Sequence, residues 1–195
     1  RMREVKISER ADPAYVEAFK GLVKKLARAA KIGARAPISM VLAGGAAMHF
    51  YTGQRISDDV DAVFDRKLLI PSDAVVIYRD SRGDTRTVYF DPAYNETFAL
   101  LHEDAHHDAM RLPLDGVKGV NVFVLTPIDL AVSKLSRFAA IDREDILALA
   151  KAGLISAKDL RRRAEEALPG YVGNLAGVRT AIGLACGDIE KPASK

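Results

Sequence analysis

The stretch MVLAGGAAMHFYTGQRISDDVDAVFD, residues 40–65, decides how this chain folds. It continues an apolar run over residues 38–43 that has the length and composition of a buried strand. Gly44 and Gly45 follow, then a short segment, AAMHFYTG, that suits a helix. A polar bend over residues 54–58 leads into Asp59-Val60-Asp61-Ala62-Val63-Phe64. Read as a strand, this run alternates, with Asp59 and Asp61 on one face and Val60 and Ala62 on the other. Two carboxylates side by side repel, and burying their face without a cation costs several kcal/mol or forces a proton on. A divalent metal relieves that cost, and Mg²⁺ takes few carboxylates together with phosphate oxygens and water. An exposed edge strand with two solvated acids carries the same letters, so the context has to decide.

The context is a glycine turn between a strand and a helix. Its free N–H groups and the helix N-terminus suit an anion such as a triphosphate. Ser57, just before the acids, offers a hydroxyl to the same phosphates.

Outward from this stretch, the chain reads as α, β, α, β, then several strands with little helix between them, then helices. Asp12 as N-cap and Pro13 just inside begin an amphipathic helix, with Gly33 as its stop. Residues 74–78 and 87–90 form a hairpin around Gly83, broken by Asp91-Pro92. Residues 94–110 are ambiguous, and 110–114 and 120–125 are further strands. Thr126-Pro127 with Asp129 opens a helical region with helices over 129–140, 143–152 (Asp142 as N-cap), 156 to before Pro169, and 171–185. The expected fold class is α+β: a mixed β-sheet with flanking helices and a C-terminal helical bundle. Its expected domains are a core over 1–125 and a helical region over 126–195 packed on it.

The 195 residues suffice for one such core with a helical extension. No apolar run reaches the roughly 20 residues that cross a bilayer, so no membrane partner is expected. The opening RMREVKISERADP lacks the apolar segment of a secretory signal. The single cysteine, Cys186, excludes an internal disulfide and a multi-cysteine zinc site; it reads as a small apolar residue on a helix face, and the expected compartment is the cytoplasm. A net charge of +3 does not by itself mark a nucleic-acid binder. The basic residues are clustered, however: Lys24, Lys25, Arg28, Lys31 and Arg35 near one end, and Arg161, Arg162 and Arg163 near the other. Solvated helix faces explain such clusters in most proteins, and a basic rim around an acidic metal site also suits RNA.

Gly44-Gly45, a spacer, then Ser57-x-Asp59-x-Asp61 resembles the signature of the nucleotidyltransferase superfamily. The block LAVSKLSRFAAIDREDILAL, residues 130–149, is similar to the downstream signature of bacterial AbiEii-type toxin-like nucleotidyltransferases, through Lys134, Arg137, Asp142 and Asp145. Without the resemblance, that block reads as a capped helix pair with surface charges. The resemblance implies a transferase that moves a nucleoside monophosphate from an NTP to an acceptor, a tRNA 3′ end or other RNA among the candidates, with a cognate antitoxin as a protein partner. It implies Mg²⁺ (or Mn²⁺) on Asp59 and Asp61, a triphosphate held by Gly44, Gly45 and Ser57, and Lys134 and Arg137 as cations toward the nucleotide. Asp142 or Asp145 then orients Lys134 or activates the attacking hydroxyl. Alternatives on the same fold are an inactive nucleotide- or RNA-binding module and an antitoxin-partnered protein.

Relatives of the polymerase type add a third metal-binding carboxylate on a neighbouring strand. Asn121 stands where such an acid is expected; Asp108 is the first candidate, with Asp91, Glu103 and Asp104 as alternatives. His102, His106 and His107 read as a surface or site-rim segment, and His49 as a packed helix residue.

Overall fold

The first helix shows how local signals place the core. In the computed structural model, which describes residues 3–33 and 35–191, α1 spans Pro13–Ala29. The Asp12 carboxylate accepts the N–H groups of Ala14 (2.8 Å) and Tyr15 (3.3 Å), and Pro13 occupies the first turn, where its missing N–H is no loss. Tyr15, Phe19, Leu22, Val23 and Leu26 are fully buried on one side of the helix. Burial of each such side chain contributes roughly 2 kcal/mol. The helix stops at Ala29, before Gly33, and Lys31 takes the left-handed conformation (φ 51°) that ends it.

The strands follow. β1 (Ile38–Leu42) leads into α2 (Gly44–Thr52); β2 (Asp59–Val60) and β3 (Ala62–Phe64) follow, then the hairpin β4 (Val75–Arg79) and β5 (Thr85–Phe90). A short α3 (Ala105–Asp108) precedes β6 (Met110–Arg111) and β7 (Val120–Val124). One sheet has the order β3-β1-β7-β6 and the other β2-β5-β4. β1 and β7 run parallel, with Met40 opposite Val122, and both bury every second residue. β3 runs antiparallel to β1, and β2 parallel to β5.

The run 59–64 is therefore not one strand, as its alternation suggests, but two. Val60 pairs with Phe90 in the second sheet, and Ala62 with Leu42 in the first. Asp61 is the joint between the sheets, and its carbonyl accepts the Ala43 N–H at 2.9 Å. Beyond the joint the in–out pattern fades: Ala62, Val63 and Phe64 are all half-buried.

The chain divides into two compact units. One holds the described residues up to Tyr94 together with Ala109–Val124; the other holds Asn95–Asp108 and the described residues from Leu125 onward. In the second unit, α4 (Pro127–Ser133) is capped by Thr126 as its sequence indicates: the hydroxyl accepts the Asp129 N–H at 3.1 Å. α4 then ends at Ser133 instead of running to Ala140, and Phe138 sits at φ 49°. α5 begins earlier than expected, at Ala140 (Ala140–Lys151), so Asp142 lies inside its first turn and is not its N-cap. α6 (Ala157–Ala167) and α7 (Leu175–Glu190) complete the bundle. Cys186 is fully buried on α7, its thiol near the Ala157 carbonyl at 3.4 Å. The fold class is α+β, with mixed sheets, flanking helices and a C-terminal helical bundle. Among the described residues, no helix is long and apolar enough to cross a membrane.

Candidate active site

Two parallel strands gather the acids. The Tyr89 N–H donates to the Asp58 carbonyl and the Asp91 N–H to the Val60 carbonyl, each at 3.0 Å. Asp91, one residue beyond β5, thus lies beside Asp61, one residue beyond β2. The carboxylates of Asp59, Asp61 and Asp91 each offer an oxygen within 4.8 Å of the other two. Asp59 is exposed, and the other two are half-buried. The Ser57 hydroxyl donates to Asp59 at 2.7 Å, and Asp91 accepts the Ala93 N–H at 2.8 Å. Asp58 is excluded from this group by Arg86, whose guanidinium donates to its carboxylate through Nε (3.2 Å) and Nη2 (2.8 Å).

The glycine turn backs directly onto the acids. Gly44 has φ +57°, and a Cβ there would lie 1.9 Å from Asp61 Oδ2. At Gly45 a Cβ would lie 2.6 Å from both Cβ and Oγ of Ser57. No side chain caps α2, because its N-cap is Ala43. The first N–H groups of a helix have no partner within it, which leaves this end suited to an anion. At the other end of α2, Gly53 closes the helix at φ 64°. His49 is buried as expected: its Nε2 accepts the Asp12 N–H (2.9 Å) while Nδ1–H donates to the Gln54 carbonyl (2.5 Å), tying α2 to the start of α1.

Three carboxylates this close repel one another, and their donors are all hard oxygens, the chemistry that holds Mg²⁺ or Mn²⁺. The residues therefore fit a divalent ion. Nearby, the hydroxyls of Tyr15 and Tyr78 are buried with no hydrogen-bond partner among the described residues. Burial, with smaller contributions from Tyr78, Asp59 and Asp58, raises the Tyr15 hydroxyl well above its ordinary value; burial likewise pushes Tyr78 up to about 12, so both stay protonated.

The second set of predicted residues comes together in the helical unit. Lys134, at the end of α4, is buried with its Nζ 2.6 Å from Asp145 and 3.9 Å from Asp142. Arg137 donates to both oxygens of Asp142, at 2.7 and 2.8 Å, and Asp142 also accepts the Ala139 N–H at 2.9 Å. Burial pushes the Asp142 carboxyl up, but Arg137, that N–H and the charge of Lys134 together bring it below its ordinary value. Of the two residues that read in the sequence as surface charges, Arg137 is exposed, whereas Lys134 is buried against Asp142 and Asp145.

Of the candidates for the third acid, Asp91 is the one whose carboxylate joins Asp59 and Asp61. Asp108 instead receives Arg163 Nη2 at 2.7 Å, and the same guanidinium binds Asp129 at 2.8 and 2.9 Å. Residues 102–106 spell H-E-D-A-H, the letters of a zinc-protease helix. That geometry does not form, because α3 starts only at Ala105 and His106 bonds Glu96 at 2.7 Å.

A glycine turn abutting a carboxylate pair at the junction of mixed sheets is the arrangement of a nucleotidyltransferase-like α+β protein. The chain belongs to the DUF6036 family, described as nucleotidyltransferases of unknown function, which matches residues 19–173. That description supports a transferase activity of this general kind. No curated protein matches the chain.

Proposed function

We propose that the protein is a nucleotidyltransferase that uses Mg²⁺ or Mn²⁺ to transfer a nucleoside monophosphate from an NTP to a hydroxyl acceptor, with release of pyrophosphate. The observation that carries this reading is the meeting of Asp59, Asp61 and Asp91 against the Gly44-Gly45 turn. A non-catalytic nucleotide-binding module on the same fold needs no third acid at the pair, so Asp91 favours the catalytic reading over that one.

Asp59, Asp61 and Asp91 would hold the metal, which when bound supplies positive charge for the phosphates and polarises the attacking hydroxyl. The uncapped start of α2 and the Gly44-Gly45 backbone bind the triphosphate. Ser57 keeps Asp59 oriented through its 2.7 Å hydrogen bond and retains lone pairs for a further donor. By the resemblance alone, Lys134 is proposed as a cation toward the nucleotide; Asp145 orients it, and Arg137 with Asp142 holds the loop between α4 and α5 that carries it. The resemblance to AbiEii-type proteins adds the finer proposal of a toxin-like enzyme that acts on an RNA 3′ end and is restrained by a cognate antitoxin.

The test is incubation of the purified protein with α-labelled NTPs, Mg²⁺ and total RNA. Label is expected on RNA, and Asp59→Asn or Asp61→Asn should remove it by more than a hundredfold. Undiminished labelling in both variants rules out this site.

A further inference from the structure

A cleft in the first unit gathers three cationic side chains around an otherwise apolar lining. It has a volume of about 370 Å³ and is lined by Lys24, Ala27, Arg28, Ile32, Gly116 and Lys118. No acid lines it. Among the described residues, no hydrogen bond or ion pair engages the charged ends of Lys24, Arg28 or Lys118, unlike Lys20 and Lys25 on the same helix, which bind Glu17 and the Val75 carbonyl at 2.8 Å each. Three cations around one concavity repel each other, and among the described residues only Lys24 feels a nearby carboxylate, that of Glu17, so an anion that joins them is favoured. One backbone feature keeps the cleft open. Gly116 turns at φ +75°, and a Cβ there would lie 3.3 Å from Lys24 Nζ.

The position of the cleft matters. Its residues come from the end of α1, which precedes β1, and from the loop that enters β7; the Ile38 N–H donates to the Gly119 carbonyl at 3.0 Å where the two parallel strands begin. The acid site lies at the other end of β1, after Leu42. The cleft and the acids are therefore separated by about 16 Å, the length of five strand residues. The cleft has no aromatic side chain to stack a base and no side-chain amide to read one, and long cationic stems reach phosphates as point charges.

We propose that this cleft binds the phosphate backbone of a single-stranded RNA at a distance from the end that enters the acid site. Calling the strand an acceptor rests on the transferase reading; the binding itself does not.

The experiment is RNA affinity by fluorescence anisotropy, with a labelled single-stranded oligonucleotide and the full chain, from 50 to 300 mM salt, for wild type and the triple variant Lys24→Glu/Arg28→Glu/Lys118→Glu. Loss of three phosphate contacts should weaken binding on the order of tenfold or more and make the slope of log K against log salt shallower by about two, at roughly 0.7 per phosphate for single strands. The single variant Lys118→Glu, on an exposed loop, should show a third of the slope change with an unaltered melting temperature, so that misfolding of the triple variant cannot mimic the result. Pyrophosphate release with a dinucleotide acceptor, too short to span from the acids to the cleft, should be unchanged in Lys118→Glu. An unaltered affinity and salt slope in both variants overturns the proposal, as does a wild type that binds no RNA. Weakened NTP binding with unaltered RNA binding also overturns it, since the cleft would then hold a nucleotide. A chain that binds RNA through these cations and transfers nothing defeats the transferase reading and leaves this one standing.

Discussion

Asp61 Oδ2 occupies the space that a side chain at Gly44 would need: a Cβ built there lies 1.9 Å from it. The turn and the acid therefore constrain each other, since Gly44 alone permits both the left-handed backbone and the close approach of the carboxylate. Gly44→Ala should lose about 1–2 kcal/mol from backbone conformation alone, and more because the carboxylate has to move. Gly83→Ala is the control. Its backbone is also left-handed (φ +88°), but nothing lies within 4 Å of the added Cβ, so only the backbone cost applies. Urea melts should show Gly44→Ala the less stable of the two, and Mn²⁺ titrations should show weakened binding in Gly44→Ala only. Equal behaviour of the two variants would mean that the turn does not set the position of Asp61.

The third carboxylate separates two candidates from one another. Asp91 joins Asp59 and Asp61, whereas Asp108 is held by Arg163. Asp91→Asn should weaken Mn²⁺ binding by at least tenfold, read by electron paramagnetic resonance, with little change in melting temperature. Asp108→Asn should leave Mn²⁺ affinity within twofold of wild type. The reverse pattern would return the role to Asp108.

Much of the fold is legible in the sequence because its signals are local. The Asp12-Pro13 and Thr126-Pro127 caps, the hairpin around Gly83 and the apolar β1 each need only a few neighbouring residues to be read. What is not legible depends on distant pairing. Nothing near Asp61 says that the chain changes sheets there, because the break is imposed by β5 on one side and β1 on the other. Asp91 reaches the acid site by the same route, through a parallel pairing between segments about thirty residues apart. A conspicuous Asp-Pro at the end of a strand is its only local mark. Likewise, residues 129–152 are good helix formers almost throughout. The break after Ser133 coincides with the pairing of Lys134 to Asp145 and of Arg137 to Asp142, contacts that helical periodicity does not contain.

That network makes Lys134 a test of structure against chemistry. Lys134 and Asp145 are 7% and 3% exposed and 2.6 Å apart. Removing Asp145 leaves the buried Lys134 with only the more distant Asp142, at 3.9 Å, so Asp145→Ala should cost up to about 3 kcal/mol in urea denaturation. The double variant Lys134→Met/Asp145→Leu replaces both with apolar groups and should recover most of that loss. Nucleotidyl transfer by the refolded double variant tests the cation role proposed for Lys134: under that proposal it should stay at least a hundredfold below wild type. Near-normal transfer would make the pair a packing device and remove Lys134 from the catalytic reading.

The last prediction concerns pH. His106 Nε2 lies 2.7 Å from Glu96, and that hydrogen bond, against some burial, raises the imidazole above its ordinary value of 6.5. A raised folded-state value means that the folded protein holds the proton more tightly than the unfolded chain. The added stability is therefore complete below about pH 6.5 and disappears as pH rises through the higher folded-state value. Because the His106 side chain is 44% exposed, solvent screens the pair, and its contribution falls in the ~0–1 kcal/mol range of exposed ion pairs. Between pH 5.5 and 8.5, wild type should lose slightly more stability than Glu96→Gln, and the two curves should converge at the alkaline end. Parallel curves across that range would show that the pair does not carry the charge its geometry implies.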